Sequence, residues 1–136
     1  MIAIADMELR ARSHLRSARI LNRRSNAEHD AAAYLCGYAI EIALKACICR
    51  HLGWLGYPET PVEFQHFKSY RTHNLGDLLR LSGNEASLKS NAALLADWSI
   101  LLGWNPEQRY ERIGTKTAAD TQAMTEAAAR LLRFLL

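Results

Sequence analysis

One acid–base pair interrupts the most apolar stretch of the sequence. Residues 29–48 read HDAAAYLCGYAIEIALKACI, and beyond Asp30 their only charged side chains are Glu41 and Lys45. An acid followed four positions later by a lysine can form an ion pair on one face of a helix. A helix that is apolar on every side is normally buried, and a buried charge is costly unless it is paired. The pair therefore predicts either a locked core or part of a ligand site.

The excess positive charge of the chain lies near its beginning. The net charge is +3, but residues 1–24 alone hold six arginines against two acids. Four of these arginines recur at helical spacing and form a basic stripe: Arg12, Arg16, Arg19 and Arg23. Such a stripe is usually a solvated helix face, on which neighbouring like charges repel slightly. Because the whole excess is concentrated there, we also expect an anionic partner, either RNA or an acidic protein surface.

Two further segments carry side chains that could bind a phosphate. His73 precedes a predicted helix within Thr72-His73-Asn74, so it either caps that helix or binds an anion beside its N-terminus. Arg109 and Tyr110 lie in a polar segment, where the arginine could hold a phosphate while the ring stacks on a base. The structural alternative is an ion pair from Arg109 to Glu41, with Tyr110 packed on the helices. The candidate ligand-binding residues are Arg109, Tyr110, His73, Glu41 and Lys45.

Metal and cofactor chemistry finds no support in the sequence. There is no glycine-rich phosphate loop, and no Cys/His cluster has the spacing of metal ligands. The three cysteines, Cys36, Cys47 and Cys49, fall within one predicted helix and point in different directions. We therefore expect no metal and no cofactor, and we interpret the cysteines as buried residues of a reducing compartment.

Helical periodicity without strand-like alternation predicts an all-α fold. The first helix is expected from about Ala3 to Arg23, and its apolar stripe comprises Met7, Ala11, Leu15, Ala18 and Leu21. A capping box at Ser25-Asn26-Ala27-Glu28 predicts the start of a second helix, which should run to about His51 and end at Gly53 and Gly56.

The second half of the chain predicts shorter helices. A helical turn is expected within Val62–Tyr70, followed by a helix from Asn74 to Ser82-Gly83 that turns Leu75, Leu78 and Leu79 inward. Asn84 should cap a single helix closed by Gly103, with the stripe Leu88, Asn91, Leu95, Trp98 and Leu102. A capping box at Thr117-Ala118-Ala119-Asp120 should open the last helix, with the stripe Ala123, Ala127, Leu131 and Phe134. Residues 1–136 then form one domain, an antiparallel bundle of four to five helices.

Three signals taken together resemble the HEPN domain. They are the helix segment GYAIEIALKA from Gly37 to Ala46, Thr72-His73-Asn74-Leu75 with Leu78-Leu79, and Trp104 followed by Arg109-Tyr110. The resemblance spans about residues 5–135 and implies a bundle of four to five helices that commonly forms homodimers, in a superfamily linked to nucleotides and RNA. It also implies a partner, because many HEPN proteins pair with a small nucleotidyltransferase in toxin–antitoxin systems.

Catalytic HEPN members are metal-independent ribonucleases that use an Arg-x4-6-His motif near the start of the last long helix. In that motif the histidine transfers a proton and the arginine holds the scissile phosphate. Arg109 and Arg112 stand in the corresponding region, but no histidine follows His73. We therefore expect a non-catalytic nucleotide- or RNA-binding module, as a component of a toxin–antitoxin pair with a nucleotidyltransferase. The alternative is a metal-independent ribonuclease with an atypical site built from Arg109 or Arg112 and His73.

The sequence also predicts where the protein resides. It contains no run of roughly 18 uninterrupted apolar residues, the length that spans a bilayer. Its first residues, MIAIADMELRAR, lack the positive-then-apolar order of a signal peptide. We therefore expect a soluble cytoplasmic protein without membrane association.

Overall fold

The computed structural model describes residues 1–136 and contains six α-helices and one pair of very short strands. The helices are α1 (Ile4–Leu21), α2 (His29–Leu52), α3 (Leu75–Leu81), α4 (Glu85–Lys89), α5 (Ala92–Leu101) and α6 (Ala118–Leu135). The strands are β1 (Ile2–Ala3) and β2 (Gly56–Tyr57), and 3-10 turns occupy Lys68–Tyr70 and Pro106–Tyr110. The predicted all-α class is confirmed.

Helix α2 is the centre of the core, as its apolar sequence predicts. It packs against α1, α3 and α6, and α6 also contacts α1 and α5. Ile40, Leu44 and Ile48 of α2 are completely buried. Burying such a side chain contributes about 1.5–3 kcal/mol relative to leaving it exposed. This burial fixes the position of α2 in the core, and with it the backbone positions from which its polar side chains extend.

By length and composition alone, α2 could also cross a membrane. In this structure, 78% of its apolar window is buried against the rest of the protein. A core helix of a water-soluble protein passes the same test of length and composition.

The connection between α1 and α2 differs from the prediction. Helix α1 ends at Leu21, and the Asn26 side chain donates a hydrogen bond of 2.7 Å to the carbonyl of Ile20. The chain then turns through Ala27, whose φ of 52° is left-handed. Glu28 therefore precedes α2 without making a side-chain cap, and the predicted capping box from Ser25 to Glu28 does not form.

The single helix predicted between Asn84 and Gly103 is divided in two. Asn91, placed by the prediction in the apolar stripe, has an extended backbone and its side chain accepts a hydrogen bond of 3.1 Å from the Leu94 amide. Asparagine is a favourable N-cap, so Asn91 starts a new helix, α5, after α4 has ended at Lys89. The break also changes the buried face: Trp98 and Leu101 are buried, whereas Leu95 and Leu102 are 38% and 49% exposed.

The strand pair is the other departure from the prediction. Ile2 pairs with Tyr57 and Ala3 with Gly56 in an antiparallel arrangement. A Cβ atom on Gly56 would lie 2.6 Å from the carbonyl oxygen of Ile2, so a glycine is needed for this approach. Strands of two residues are too short for alternation to be visible in a sequence.

Two other helix starts follow their predicted caps, whereas Asn84 precedes α4 without a side-chain cap hydrogen bond. The Asn74 side chain accepts from the Asp77 amide at 2.9 Å, and the inward face of α3 consists of Leu75, Leu78 and Leu79. Thr117 and Asp120 form the predicted capping box of α6, with bonds of 3.1 and 3.0 Å. In the predicted stripe of α6, Ala127 and Leu131 are buried and Ala123 and Phe134 are half-buried.

Candidate functional site

A groove of about 1100 Å³ opens between α1, α2 and the segment from Tyr57 to His73. Helix α1 supplies Arg10 and His14, and α2 supplies Tyr38, Glu41 and Lys45. The packing of α1 against α2 and the β1–β2 pair fix these elements relative to one another. Three of the predicted binding residues, Glu41, Lys45 and His73, therefore line one concave surface. Small ligands bind on surfaces of this kind.

Glu41 is the most unusual side chain of this groove, because it is a carboxylate with only 1% exposure. Its Oε1 accepts a hydrogen bond of 2.7 Å from Lys45 Nζ and lies 2.9 Å from His73 Nδ1. Its Oε2 is buried and has no hydrogen-bond partner. Buried polar atoms are nearly always paired, so Oε2 is an unused acceptor beneath the groove.

Lys45 and His73 are the two partners of the Glu41 carboxylate. The Lys45 ammonium lies 5.2 Å from the centre of the Tyr57 ring, within the range of a cation–π contact. The His73 side chain is 62% exposed, and only its Nδ1 is engaged. Asn74 and Thr72 form the cap and turn before α3, so His73 does not act as the cap. His73 instead presents a free Nε2 beside a buried carboxylate.

His14 also lines the groove, and the sequence analysis did not select it. Its ring centre lies 5.1 Å from that of Tyr38, and its Nε2 is buried without a partner. Burial lowers the pKa of His14, and the charge of Arg10 lowers it further, so both favour the neutral ring. The available signal was its position between Ala11 and Ala18, on the apolar side of α1.

Tyr38 contributes a protonated phenol to the same wall. Burial raises the pKa of its hydroxyl, and the nearby carboxylate of Glu41 raises it further. The ring is only partly buried and stacks at 6.0 Å against Tyr34. Tyr38 can therefore offer both a ring face and a hydroxyl donor to a molecule in the groove.

Arginines surround the mouth of the groove. Arg10, Arg16 and Arg71 are exposed and lie along it, together with the acids Asp6 and Glu59. The positive charge of Lys45 is compensated by its ion pair with Glu41. Guanidinium groups at the rim can hold phosphate oxygens through two parallel hydrogen bonds. The groove thus combines an aromatic wall, a buried acceptor and a rim suited to a phosphorylated molecule.

Arg109 and Tyr110 lie apart from this groove. Arg109 and Arg112 border a smaller cavity of about 290 Å³ beside Tyr34 and Asp30 of α2, and neither His73 nor Glu41 lines it. The predicted ion pair from Arg109 to Glu41 does not form, because the two residues line different cavities; Glu41 pairs with Lys45 and His73 instead. Tyr110 is 74% exposed rather than packed on the helices. The Arg109 guanidinium lies 4.8 Å from the centre of the Tyr110 ring.

Asp30 fixes the segment that carries these two residues. Its carboxylate accepts hydrogen bonds from the amides of Gly114 at 2.6 Å and Lys116 at 2.9 Å. These bonds lower the pKa of Asp30, because they favour its charged form. No histidine lines this cavity, so an Arg–His pair does not assemble there.

The basic stripe borders a third cavity. Arg12, Arg16 and Arg19 line a crevice of about 440 Å³ between α1 and α6, whereas Arg23 follows the end of α1 and lies outside it. Arg16 lines both this crevice and the groove.

Comparisons with known proteins do not assign the site. No protein-family model matches the chain, and searches of curated proteins and of solved structures found no match. No group of three or more His, Cys, Asp and Glu side chains could hold a metal ion. The chemistry of the groove therefore rests on its own residues.

Proposed function

We propose that the protein is a HEPN-like nucleotide- or RNA-binding module that acts without catalysis, and that its ligand occupies the groove between α1 and α2. The observation that carries this proposal is the buried Glu41 carboxylate with one unused oxygen, below a rim of arginines. An apolar residue would stabilise α2 at lower cost, because a buried charge pays a desolvation penalty. A hydrogen-bond donor of a ligand that reached Oε2 would satisfy this oxygen and would account for a carboxylate at this position.

Each part of a nucleotide has a complementary group in the groove. Arg10 and Arg71 are suited to phosphate oxygens, and the Tyr38 ring to a base. The unused Glu41 Oε2 suits a ribose hydroxyl or an exocyclic amine, since both donate hydrogen bonds. The volume of about 1100 Å³ leaves room for more than one nucleotide unit.

The architecture supports the HEPN-like part of the proposal. The four longer helices α1, α2, α5 and α6 form the packed body, and the short α3 and α4 connect them. On this proposal the helices form an antiparallel bundle, the protein is a cytoplasmic homodimer, and a nucleotidyltransferase is its toxin–antitoxin partner.

The test is binding of labelled single-stranded RNA and of mononucleotides over a range of salt concentrations. Arg10→Glu with Arg71→Glu should abolish or strongly weaken binding. The milder Arg10→Ala with Arg71→Ala should reduce the slope of log affinity against log salt by about 1.4, if each arginine neutralises one phosphate. The matched control is Arg23→Ala with Arg24→Ala, since both arginines are exposed and outside the three cavities. Equal affinity of the groove variant and the control would contradict the proposal.

A second candidate function is metal-independent RNA cleavage in the same groove. The observation that favours it is the contact of His73 with Glu41, because a carboxylate can orient an imidazole for proton transfer. His73 Nε2 would remove the proton of a ribose 2′-hydroxyl. The oxygen would then attack the phosphorus, and the 5′-oxygen would leave with a proton from solvent or a second acid. The products would be a 2′,3′-cyclic phosphate and a free 5′-hydroxyl.

The two candidates are separated by incubating labelled RNA with the protein in the presence of EDTA. Cleavage that is lost in His73→Ala and retained in Arg109→Ala would support the enzyme, since Arg109 lines a different cavity. If the protein binds RNA but cleaves it no faster than His73→Ala does, the result would support the non-catalytic binding module and contradict the ribonuclease.

A further inference from the structure

The crevice between α1 and α6 has a composition unlike that of the groove. Its rim consists of four arginines, Arg12, Arg16, Arg19 and Arg133, and its floor of four aliphatic side chains, Leu15, Ala129, Leu132 and Leu136. No acidic, aromatic or other polar side chain lines it. A surface that is aliphatic at its centre and uniformly cationic at its edge is therefore formed by two packed helices.

The positive charge of this rim is largely uncompensated. Arg12 lies 3.8 Å from Glu8, but Glu8 is also paired with Arg50 of α2. Arg16, Arg19 and Arg133 form no ion pair with a carboxylate side chain. Guanidinium groups that converge on one crevice repel one another, and a partner bearing negative charge would relieve this repulsion.

The floor distinguishes between the two classes of anionic partner. Single-stranded RNA typically binds surfaces that provide aromatic rings for stacking of the bases, and no aromatic side chain lines this crevice. An amphipathic protein helix requires an apolar groove for its apolar stripe and opposite charges for the residues beside that stripe. Leu15 and Leu132 meet the first requirement, and the arginines meet the second because their planar groups pair with carboxylates.

We propose that the crevice between α1 and α6 is a docking surface for an acidic amphipathic helix of a partner protein. The apolar residues of that helix lie on Leu15, Ala129 and Leu132, and its flanking aspartates or glutamates pair with Arg12, Arg19 and Arg133. This surface is independent of the ligand of the groove, apart from the shared Arg16.

The test is selection of short helical peptides from a displayed random library, with the folded wild-type protein as bait. The selected peptides should carry apolar residues at helical spacing flanked by aspartate or glutamate. Arg12→Glu with Arg19→Glu should weaken their binding by about tenfold or more, since charge reversal replaces attraction with repulsion. Arg23→Glu with Arg24→Glu is the matched control and should change the affinity by less than about twofold. Circular dichroism checks that both exposed double variants remain folded.

A charge-swapped peptide provides the converse measurement. Lysines in place of the acidic residues of a selected peptide should restore binding to the Arg12→Glu, Arg19→Glu variant. Selection of peptides without acidic residues, no enrichment at all, or equal losses in the two double variants would overturn the proposal. If a uridine oligonucleotide loses affinity in the crevice variant and the selected peptides do not, the crevice belongs to RNA and the proposal is also overturned.

Discussion

The indole ring of Trp104 lies directly against the backbone of Gly37. A Cβ atom on Gly37 would come within 2.1 Å of Trp104 Cγ, a distance that no packed side chain tolerates. Trp104 is 4% exposed and its ring contacts both Tyr34 and Tyr38. This single glycine therefore lets the chain after α5 close over α2 and support the aromatic wall of the groove.

Gly37→Ala should consequently destabilise the protein. The added methyl group forces Trp104 or the α2 backbone to move, and overpacking of this kind costs about 1–3 kcal/mol. Gly103→Ala is the control, because a Cβ there meets nothing within 4 Å. Urea denaturation should show a clear loss for the first variant and little change for the second; equal midpoints would argue against the packing of Trp104 on Gly37.

Removal of the Glu41 carboxylate should be more damaging still. Glu41→Ala leaves Lys45, whose side chain is 18% exposed, without its acidic partner, and breaking a buried pair costs about 3 kcal/mol or more. Glu85→Ala removes the same carboxylate from the more exposed pair with Lys89 and should cost well under about 1 kcal/mol. An unchanged melting temperature in Glu41→Ala would contradict the burial of this residue.

The hydrogen bonds between Asp97 and Arg130 connect α5 to α6. Asp97 is 7% exposed and accepts from Arg130 Nε and Nη2, each at 2.8 Å. Asp97→Asn should lower the urea midpoint, because the amide cannot accept both bonds and carries no charge. The effect should exceed that of Asp77→Asn, which disrupts an exposed pair with Arg80. Similar midpoints for the two variants would indicate that solvent screens both pairs equally.

Asp30 should make the stability of the protein sensitive to acid. Its pKa is lower in the folded state than the unfolded value of about 3.9, so the folded state binds fewer protons in this range. The resulting stabilisation is present above the unfolded pKa and is lost as the pH falls through the folded pKa. The drop in the urea midpoint between neutral and strongly acidic pH should be smaller in Asp30→Asn than in the wild type. An identical drop would show that these hydrogen bonds do not favour the charged form.

The three cysteines should be unreactive in the folded protein. All are buried, and burial raises the pKa of Cys36 to about 12 and the pKa values of Cys47 and Cys49 to about 11. Since the thiolate is the reactive form, a thiol reagent at pH 8 should label none of them rapidly and all of them in denaturant. Rapid labelling of the native protein would show that α2 opens to solvent.

Local sequence features predicted the positions of α1, α3 and α6, most of α2, and the pair between Glu41 and Lys45, because these depend on residues within a few positions of one another. The bond from His73 to Glu41 joins residues 32 positions apart and follows from the packing of α3 against α2. The predicted ion pair from Arg109 to Glu41 was wrong for the same reason, because contacts between residues distant in sequence depend on how the helices pack. Helix α2 carries both Tyr34 and Glu41, and only the assembled fold decides which of them the segment after Pro106 meets.

The spacing of the arginines in the sequence also could not separate their roles. Spacing placed Arg12, Arg16 and Arg19 on one band of α1, and the structure keeps them on one exposed side. The position of α6 then adds Arg133 and an aliphatic floor to that side, which no property of α1 alone indicates. Arg10 and His14 of the same helix belong to the groove.

Arg16 lines both the groove and the crevice, so ligands of the two surfaces that each bound its guanidinium group would be thermodynamically linked. A guanidinium group that binds a phosphate in the groove is withdrawn from a carboxylate in the crevice, and the reverse is equally true. Each ligand then weakens the other by the same factor, since coupling free energies are reciprocal. If both proposals hold, one exposed side chain on α1 would thus be sufficient for negative cooperativity between the two proposed sites, without any change in the helices that carry them.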